Sequence, residues 1–193
     1  MRHAIVIVAI VVAANVVLAV RPAGGEPVAT PADTLIAFTC LDQFAREHTD
    51  AELRDRVAVL LWADRAGNDH RRRWKRLLAR ELREDVAAGV VAMRDVAHAR
   101  GVPGFVKGMV KGSFSDDRQD WALLDWEGVF ADAYAPTEDH LNVLVFGAGG
   151  ALRFHEAVTD LERAALGRMV AAVRAALADG PPGAPESPTV RSE

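Results

Sequence analysis

Apolar residues change their spacing twice in the middle of the chain, which predicts a strand, a helix and a second strand. Residues 57–61 are five consecutive apolar residues, the pattern of a strand buried on both faces. After a turn at residues 66–69, apolar residues recur at helical spacing and form one stripe: Trp74, Leu77, Leu78, Leu82 and Val86. Residues 89–93 form another short apolar run. This order predicts a βαβ unit with parallel pairing.

Shorter apolar segments lie on either side of this unit. Residues 35–41 and 44–48 predict two short strands in a hairpin, and capping-box spacing at residues 49–52 predicts one helical turn. Residues 100–114 keep an apolar face, but Pro103 and three glycines interrupt it. An irregular helix is therefore predicted there, since proline and glycine both disfavour a helix interior.

The last third of the chain has the clearest pattern. A short apolar segment at residues 121–124 is followed by a brief predicted helix at 129–134. Residues 141–146 and 151–155 predict an antiparallel hairpin, because three of the four residues between them are glycines that permit a tight turn. Capping-box spacing at residues 159–162 then predicts a closing helix, which ends at a Gly-Pro pair.

The N-terminus carries a predicted export or membrane signal. A positive segment at residues 1–3 precedes apolar residues that run from Ala4 to Val20, interrupted only by Asn15. This length fits both a signal peptide and a short membrane span, and both interpretations stay open. The positive end leaves the N-terminus in the cytoplasm and exports the rest of the chain. We expect a cell-envelope protein on the periplasmic or extracytoplasmic side, either anchored in the inner membrane or released.

The same pattern predicts the domain boundaries. Residues 1–21 are the signal peptide or transmembrane anchor, and residues 22–33 are a linker, because they are rich in Pro, Gly and Ala and have no period. Residues 34–179 form one domain, large enough to bury a core. Residues 180–193 are a disordered tail.

Composition excludes two classes of function. The net charge of −4, from 23 basic and 27 acidic residues, argues against a nucleic-acid partner. Cys40 is the only cysteine, so the chain has no intramolecular disulfide, no Cys-x-x-Cys motif and no zinc site built from several thiolates. We interpret Cys40 as a small buried apolar residue.

The order of elements resembles that of thioredoxin-like proteins, and three segments support the resemblance. VAVLLWADRAGND, at residues 57–69, resembles the strand and loop that lead into their Cys-x-x-Cys motif; the motif positions are occupied by Ala66, Gly67, Asn68 and Asp69. LLDWEGVFADAY, at residues 123–134, resembles their Asp-x-x-Gly turn and short helix. LNVLVFGAGGALRF, at residues 141–154, resembles their hairpin, with Leu141 at the position of the usual cis-proline.

The resemblance is to the redoxin and peroxiredoxin-like branch, including exported YtfJ-like relatives without Cys-x-x-Cys. It implies an α/β thioredoxin-like fold in which helices flank a central mixed sheet. Because the motif cysteines and the cis-proline are replaced, we expect lost redox chemistry and predict no catalytic residue, metal or cofactor. Thioredoxin-like proteins hold peptides at this loop, so the resemblance implies a protein or peptide partner there, bound by a predicted face of eight residues: Trp62, Asp64, Arg65, Ala66, Gly67, Asn68, Asp69 and Leu141.

The residues also leave other functions open. An atypical redoxin that acts on thiols or peroxide could use Cys40, and a thiol-independent reaction could use Asp64, Asp69 and His70. We expect Asp69 instead to cap the helix, where a carboxylate accepts backbone N–H bonds.

The basic run that opens the predicted helix has two interpretations. Arg71, Arg72 and Arg73 could bind an anion, or they could form a solvated helix face. The longer basic segment from Arg71 to Arg76 could also bind anionic lipid headgroups, which would make the protein a membrane-surface adaptor. The four tryptophans could line a pocket but fit core packing better, and three histidines are expected at the surface: His48, His140 and His155.

Overall fold

The computed structural model describes residues 31–180. The predicted leader, most of the predicted linker and the tail after Gly180 lie outside the described residues. Within residues 31–180, no helix has both the length and the apolar character needed to cross a membrane. The backbone N–H of Ala32 donates a hydrogen bond to the carbonyl of Ala133, and the carbonyl of Asp33 accepts one from the backbone N–H of Leu152. Backbone contacts with the domain therefore begin shortly before residue 34.

One sheet and flanking helices make up the described domain. Its strands are β1 (Thr39–Leu41), β2 (Glu47–Thr49), β3 (Val57–Ala63), β4 (Val91–His98), β5 (Ala122–Asp125), β6 (Leu141–Phe146) and β7 (Leu152–Val158). Its α-helices are α1 (Asn68–Glu81), α2 (Arg83–Ala87), α3 (Lys107–Lys111), α4 (Val129–Tyr134) and α5 (Arg163–Ala178). Short 3-10 helices lie at Asp50–Leu53 and Gly104–Val106. The bounds of β6 and α4 agree with the prediction.

The sheet is mixed, and its strand order is β2-β1-β5-β4-β3-β6-β7. Strand β3 pairs in parallel with β4, which pairs in parallel with β5, whereas β6 runs antiparallel to β3. The predicted βαβ unit and central mixed sheet are therefore confirmed. Because β3 is central and covered on both faces, all seven of its residues are buried, which accounts for its unbroken apolar run.

The two faces of the sheet carry separate apolar cores. Helices α1 and α5 cover one face, where Trp74, Leu78 and Leu82 of the predicted stripe are fully buried. The stripe prediction is wrong at its end, because Val86 lies in the separate helix α2 and is exposed. On the other face, α4 packs against a second core. Cys40 is buried in this core, which confirms its interpretation as a small buried apolar residue.

Several predicted boundaries are wrong. Strand β4 continues past residue 93 to His98, because pairing with β3 and β5 satisfies the backbone of its polar half. The predicted strand at residues 35–41 contains only β1, and its return strand is shifted to β2. Neither capping box forms: Thr49 makes no side-chain cap bond, and α5 begins after Glu162, which makes none either.

Residues 100–114 fold less regularly than predicted. They form only the 3-10 turn and the five-residue α3, since Pro103 fixes extended backbone just before the turn and glycines weaken the helix. The predicted apolar face is not buried: Phe105 is 90 % exposed and Met109 is 78 % exposed.

Candidate functional site

The loop between β3 and α1 is organised by the carboxylate of Asp64. Its Oδ1 accepts a hydrogen bond from the backbone N–H of Gly67 at 2.8 Å, within the turn that leads into α1. Its Oδ2 accepts one from the backbone N–H of Asp139 at 2.8 Å, in the loop that precedes β6. One side chain thus joins the two loops that meet at this end of the sheet, and the connection uses no thiol.

Gly67 allows these two loops to touch through their backbones. A Cβ atom at this position would lie 2.5 Å from the carbonyl oxygen of His140 and 2.9 Å from its carbonyl carbon. The φ angle of Gly67 is −70°, which other residues also adopt, so the position needs glycine for its size.

Replacing Gly67 with alanine is expected to lower the free energy of unfolding by about 1–3 kcal/mol, the usual cost of inserting a methyl group into a packed site. The backbone at His140 would have to move away. Urea unfolding measures the loss. Gly108→Ala is the control, because Gly108 lies in the exposed helix α3 and an added methyl group would have no neighbouring atom within 4 Å. Equal losses in the two variants would contradict a role for the close approach.

The predicted binding face divides into buried and exposed residues. Trp62 and Leu141 belong to the cores on opposite faces of the sheet, so their side chains do not lie on the accessible surface that the predicted face requires. Gly67 is also buried, whereas Asp64 and Asn68 are half-buried. The exposed members of the predicted face are Arg65, Ala66 and Asp69.

The predicted role of Asp69 as helix cap is wrong. Helix α1 begins at Asn68, so Gly67 holds the N-cap position and Asp69 lies in the first turn, where its charge still favours the helix dipole. Asn68 instead orients Arg71: its Oδ1 accepts hydrogen bonds from Nε at 3.1 Å and from Nη2 at 2.8 Å. Both oxygens of Asp64 already accept backbone N–H bonds, which disfavours a reaction that needs Asp64 as a base.

Arg71 is only 4 % exposed, so the interpretation of a solvated helix face is wrong for this residue. Its guanidinium donates a hydrogen bond to Oδ2 of Asp95 on β4 and lies 5.0 Å from the ring centre of Phe114. Lys75 donates to the same oxygen at 2.8 Å and also to Asp120. Arg71 therefore binds a carboxylate of the domain itself, and its side chain is not free for an external anion. Arg72 and Arg73 are exposed.

Cys40 is poorly suited to the redoxin alternative. It lies on β1, away from the helix N-terminus that carries a redoxin thiol, and it is buried. Burial, together with the nearby carboxylate of Asp125, raises the pKa of the Cys40 thiol to about 11. Such a thiol is protonated at neutral pH and is a poor nucleophile.

Trp62 and His98 form an aromatic pair that the sequence analysis misses. Their ring centres lie 5.3 Å apart, and neither Nε1 of Trp62 nor Nδ1 of His98 has a hydrogen-bond partner among residues 31–180. His98 and Asp95 lie in the half of β4 that the prediction leaves out. The signal that could have found them is the apolar residue Val96, which continues the strand beyond its first charged residues.

The prediction that His48 lies at the surface is wrong. Its Nε2 is 2.9 Å from Oδ2 of Asp42, its Nδ1 is 3.0 Å from Oε2 of Glu52, and its ring stacks on Trp121 with centroids 3.7 Å apart. The side chains of His48 and Asp42 are both buried. His140 is half-buried and His155 is exposed. The tryptophans do not line a common pocket, since Trp62, Trp74 and Trp121 are divided between the two cores.

No protein-family profile and no curated protein sequence matches the chain. Solved structures do match. The exposed lipoprotein thioredoxin of Streptococcus pneumoniae superimposes with a TM-score of 0.52 at 13% identity, over 70% of this chain and 98% of that chain. Peroxidoxin BcpB of Mycobacterium tuberculosis gives 0.51 at 16% identity, over 74% and 95%. The thioredoxin domain of a thiol-disulfide oxidoreductase from Bacteroides vulgatus gives 0.51 at 12% identity, over 74% and 96%.

These likenesses establish the thioredoxin-like fold that the resemblance in element order and motifs implies. They do not transfer an activity, because the identities are only 12–16% and a shared fold does not imply a shared function. The described domain therefore has a thioredoxin-like fold, and with Cys40 as the only cysteine of the chain it has no Cys-x-x-Cys motif.

Proposed function

We propose that this protein is an exported or membrane-tethered thioredoxin-like protein that binds a protein or peptide partner at the Asp64 loop and does not catalyse thiol-disulfide exchange. The observation that carries the proposal is the pair of hydrogen bonds that Asp64 accepts, from the backbone N–H groups of Gly67 and Asp139, which hold the two loops together without any cysteine. A loop that is already fixed loses little conformational entropy when a partner binds.

The chemistry of the exposed rim supports a polar partner. Arg65 and Asp69 put opposite charges on either side of Ala66, and Glu138 and Asp139 on the neighbouring loop add exposed carboxylates. Such a rim fits a peptide that presents charges of both signs. The envelope location rests on the predicted leader from Ala4 to Val20, and the exposed lipoprotein among the structural neighbours is consistent with it.

A photo-crosslinking residue placed at position 66 of the full-length chain is expected to give a discrete adduct in intact cells. The same residue at position 79, on the exposed side of α1, is the matched control and should not give that adduct. Asp64→Ala should abolish the adduct at position 66, because it removes both loop contacts. Identical adducts at the two positions, or an adduct that survives Asp64→Ala, would contradict the proposal.

The proposed absence of redox catalysis is tested separately. Insulin reduction and peroxide consumption are expected to stay at the background rate in both the wild type and Cys40→Ala. Turnover above background that disappears in Cys40→Ala would establish the redoxin alternative, and turnover that survives it would establish a thiol-independent enzyme. Mass spectrometry of the mature N-terminus would show whether the leader is cleaved.

A further inference from the structure

A charged cavity of about 480 Å³ lies on the flank of α1, beside residues 113–120. Four cationic side chains line it, against two carboxylates, so the cavity has an excess of two positive charges. The cations are Arg71, Arg72, Lys75 and Arg76, and the carboxylates are Asp95 and Asp120.

The internal ion pairs leave two of these cations without a counter-charge. Asp95 binds Arg71 and Lys75, and Asp120 also binds Lys75. Arg72 donates to the carbonyl of Ser113 at 3.2 Å, and Arg76 forms no hydrogen bond or salt bridge within residues 31–180. They lie four positions apart on α1, a spacing at which two like charges destabilise a helix. A bound anion would remove that cost.

The carboxylate of Asp95 is already engaged inside the domain. Its Oδ2 accepts hydrogen bonds from Arg71 and Lys75, and the residue is only 3 % exposed, so it does not neutralise Arg72 or Arg76. A ligand that fits the cavity therefore brings negative oxygens for these two arginines.

We propose that this cavity binds a free phosphate ion, whose charged oxygens accept hydrogen bonds from Arg72 and Arg76. The phosphodiester of a membrane lipid carries the same negative oxygens, so anionic vesicles form the second arm of the test. This site does not depend on the proposed partner at the Asp64 loop, and either can fail without the other.

Nuclear magnetic resonance titration of the full-length chain, with chloride keeping the ionic strength constant, tests the site. Inorganic phosphate is expected to give saturable shifts at residues 72, 76, 113 and 115. Arg72→Gln combined with Arg76→Gln should weaken binding by about tenfold or more, because each arginine supplies a charge-assisted hydrogen bond. Arg73→Gln removes a charge from the same helix outside the cavity and should change the affinity by no more than about twofold, since it acts only through screened charge.

Three results would overturn the proposal. The first is the absence of a saturable shift with phosphate. The second is a loss of affinity in Arg73→Gln as large as in a single Arg72→Gln or Arg76→Gln variant, which would mean that only the general charge of α1 matters. The third is binding to vesicles of phosphatidylglycerol without binding to phosphate.

Discussion

Replacing Asp95 with leucine is expected to lower the free energy of unfolding by about 3–5 kcal/mol, the usual result of removing one partner from a buried ion pair. Arg71 would then keep its charge in a site where it is 4 % exposed, with only the neutral Asn68 left to accept its hydrogen bonds. Lys75 would lose one of its two carboxylate partners as well. The midpoint and slope of urea unfolding at neutral pH measure the change.

A double variant separates the cost of an unpaired charge from the cost of lost packing. Arg71→Met together with Asp95→Leu should recover most of the stability, because apolar residues of similar volume often replace a buried ion pair without loss. Asp132→Ala is the surface control: it removes the partner of Arg100 in an exposed pair and should cost at most about 1 kcal/mol. A double variant as unstable as Asp95→Leu would show that the uncompensated charge of Arg71 is not the cause.

Replacing His48 with leucine is expected to cost a similar amount, about 3–5 kcal/mol at neutral pH. The variant leaves the buried carboxylate of Asp42 with only the backbone N–H groups of Phe44 and Arg46, and it removes the ring stacked on Trp121. Glu52→Gln is the matched control, because Glu52 binds the other ring nitrogen of His48 but its side chain is 38 % exposed. That substitution should cost about 1 kcal/mol or less.

The pH dependence of the His48 variant follows from Asp42. Burial by itself would raise the pKa of Asp42, but hydrogen bonds from His48, Arg46 and Phe44 outweigh it and hold the pKa below its ordinary value of 3.8. A carboxyl whose pKa is lowered by folding contributes stability that is complete above the unfolded pKa and is lost as the pH falls through the folded pKa. The stability difference between the wild type and His48→Leu should therefore narrow below pH 3.8. A difference that stays constant on acidification would contradict this role for Asp42.

The local pattern was sufficient for the elements that are apolar and covered by neighbours. Strand β3 is readable because all its residues are buried, and the bounds of β6 and α4 follow from an apolar run and from Pro136. The pattern fails where polar residues continue an element. Strand β4 carries Arg94, Asp95 and His98, and only its pairing with β3 and β5 makes this half a strand. Phe105 and Met109 show the opposite failure, since helical spacing does not bury a face that nothing packs against.

The candidate site divides in the same way. The absence of the motif cysteines follows from composition alone, and the position of the loop follows from the end of the apolar run that forms β3. The contacts of Asp64 could not be read there, since its second oxygen meets a backbone N–H that is 75 positions away in the chain.

The sequence by itself determined the βαβ unit, the C-terminal hairpin with its closing helix, the central buried strand and the absence of Cys-x-x-Cys, because these depend on local periodicity and composition. The tertiary structure alone decided which charges are internal. Arg71 looks like a surface residue in the chain, yet it is buried because the carboxylate of Asp95, 24 positions away, compensates its charge. His48 is buried because Asp42 and Glu52 bind its two ring nitrogens and its ring stacks on Trp121.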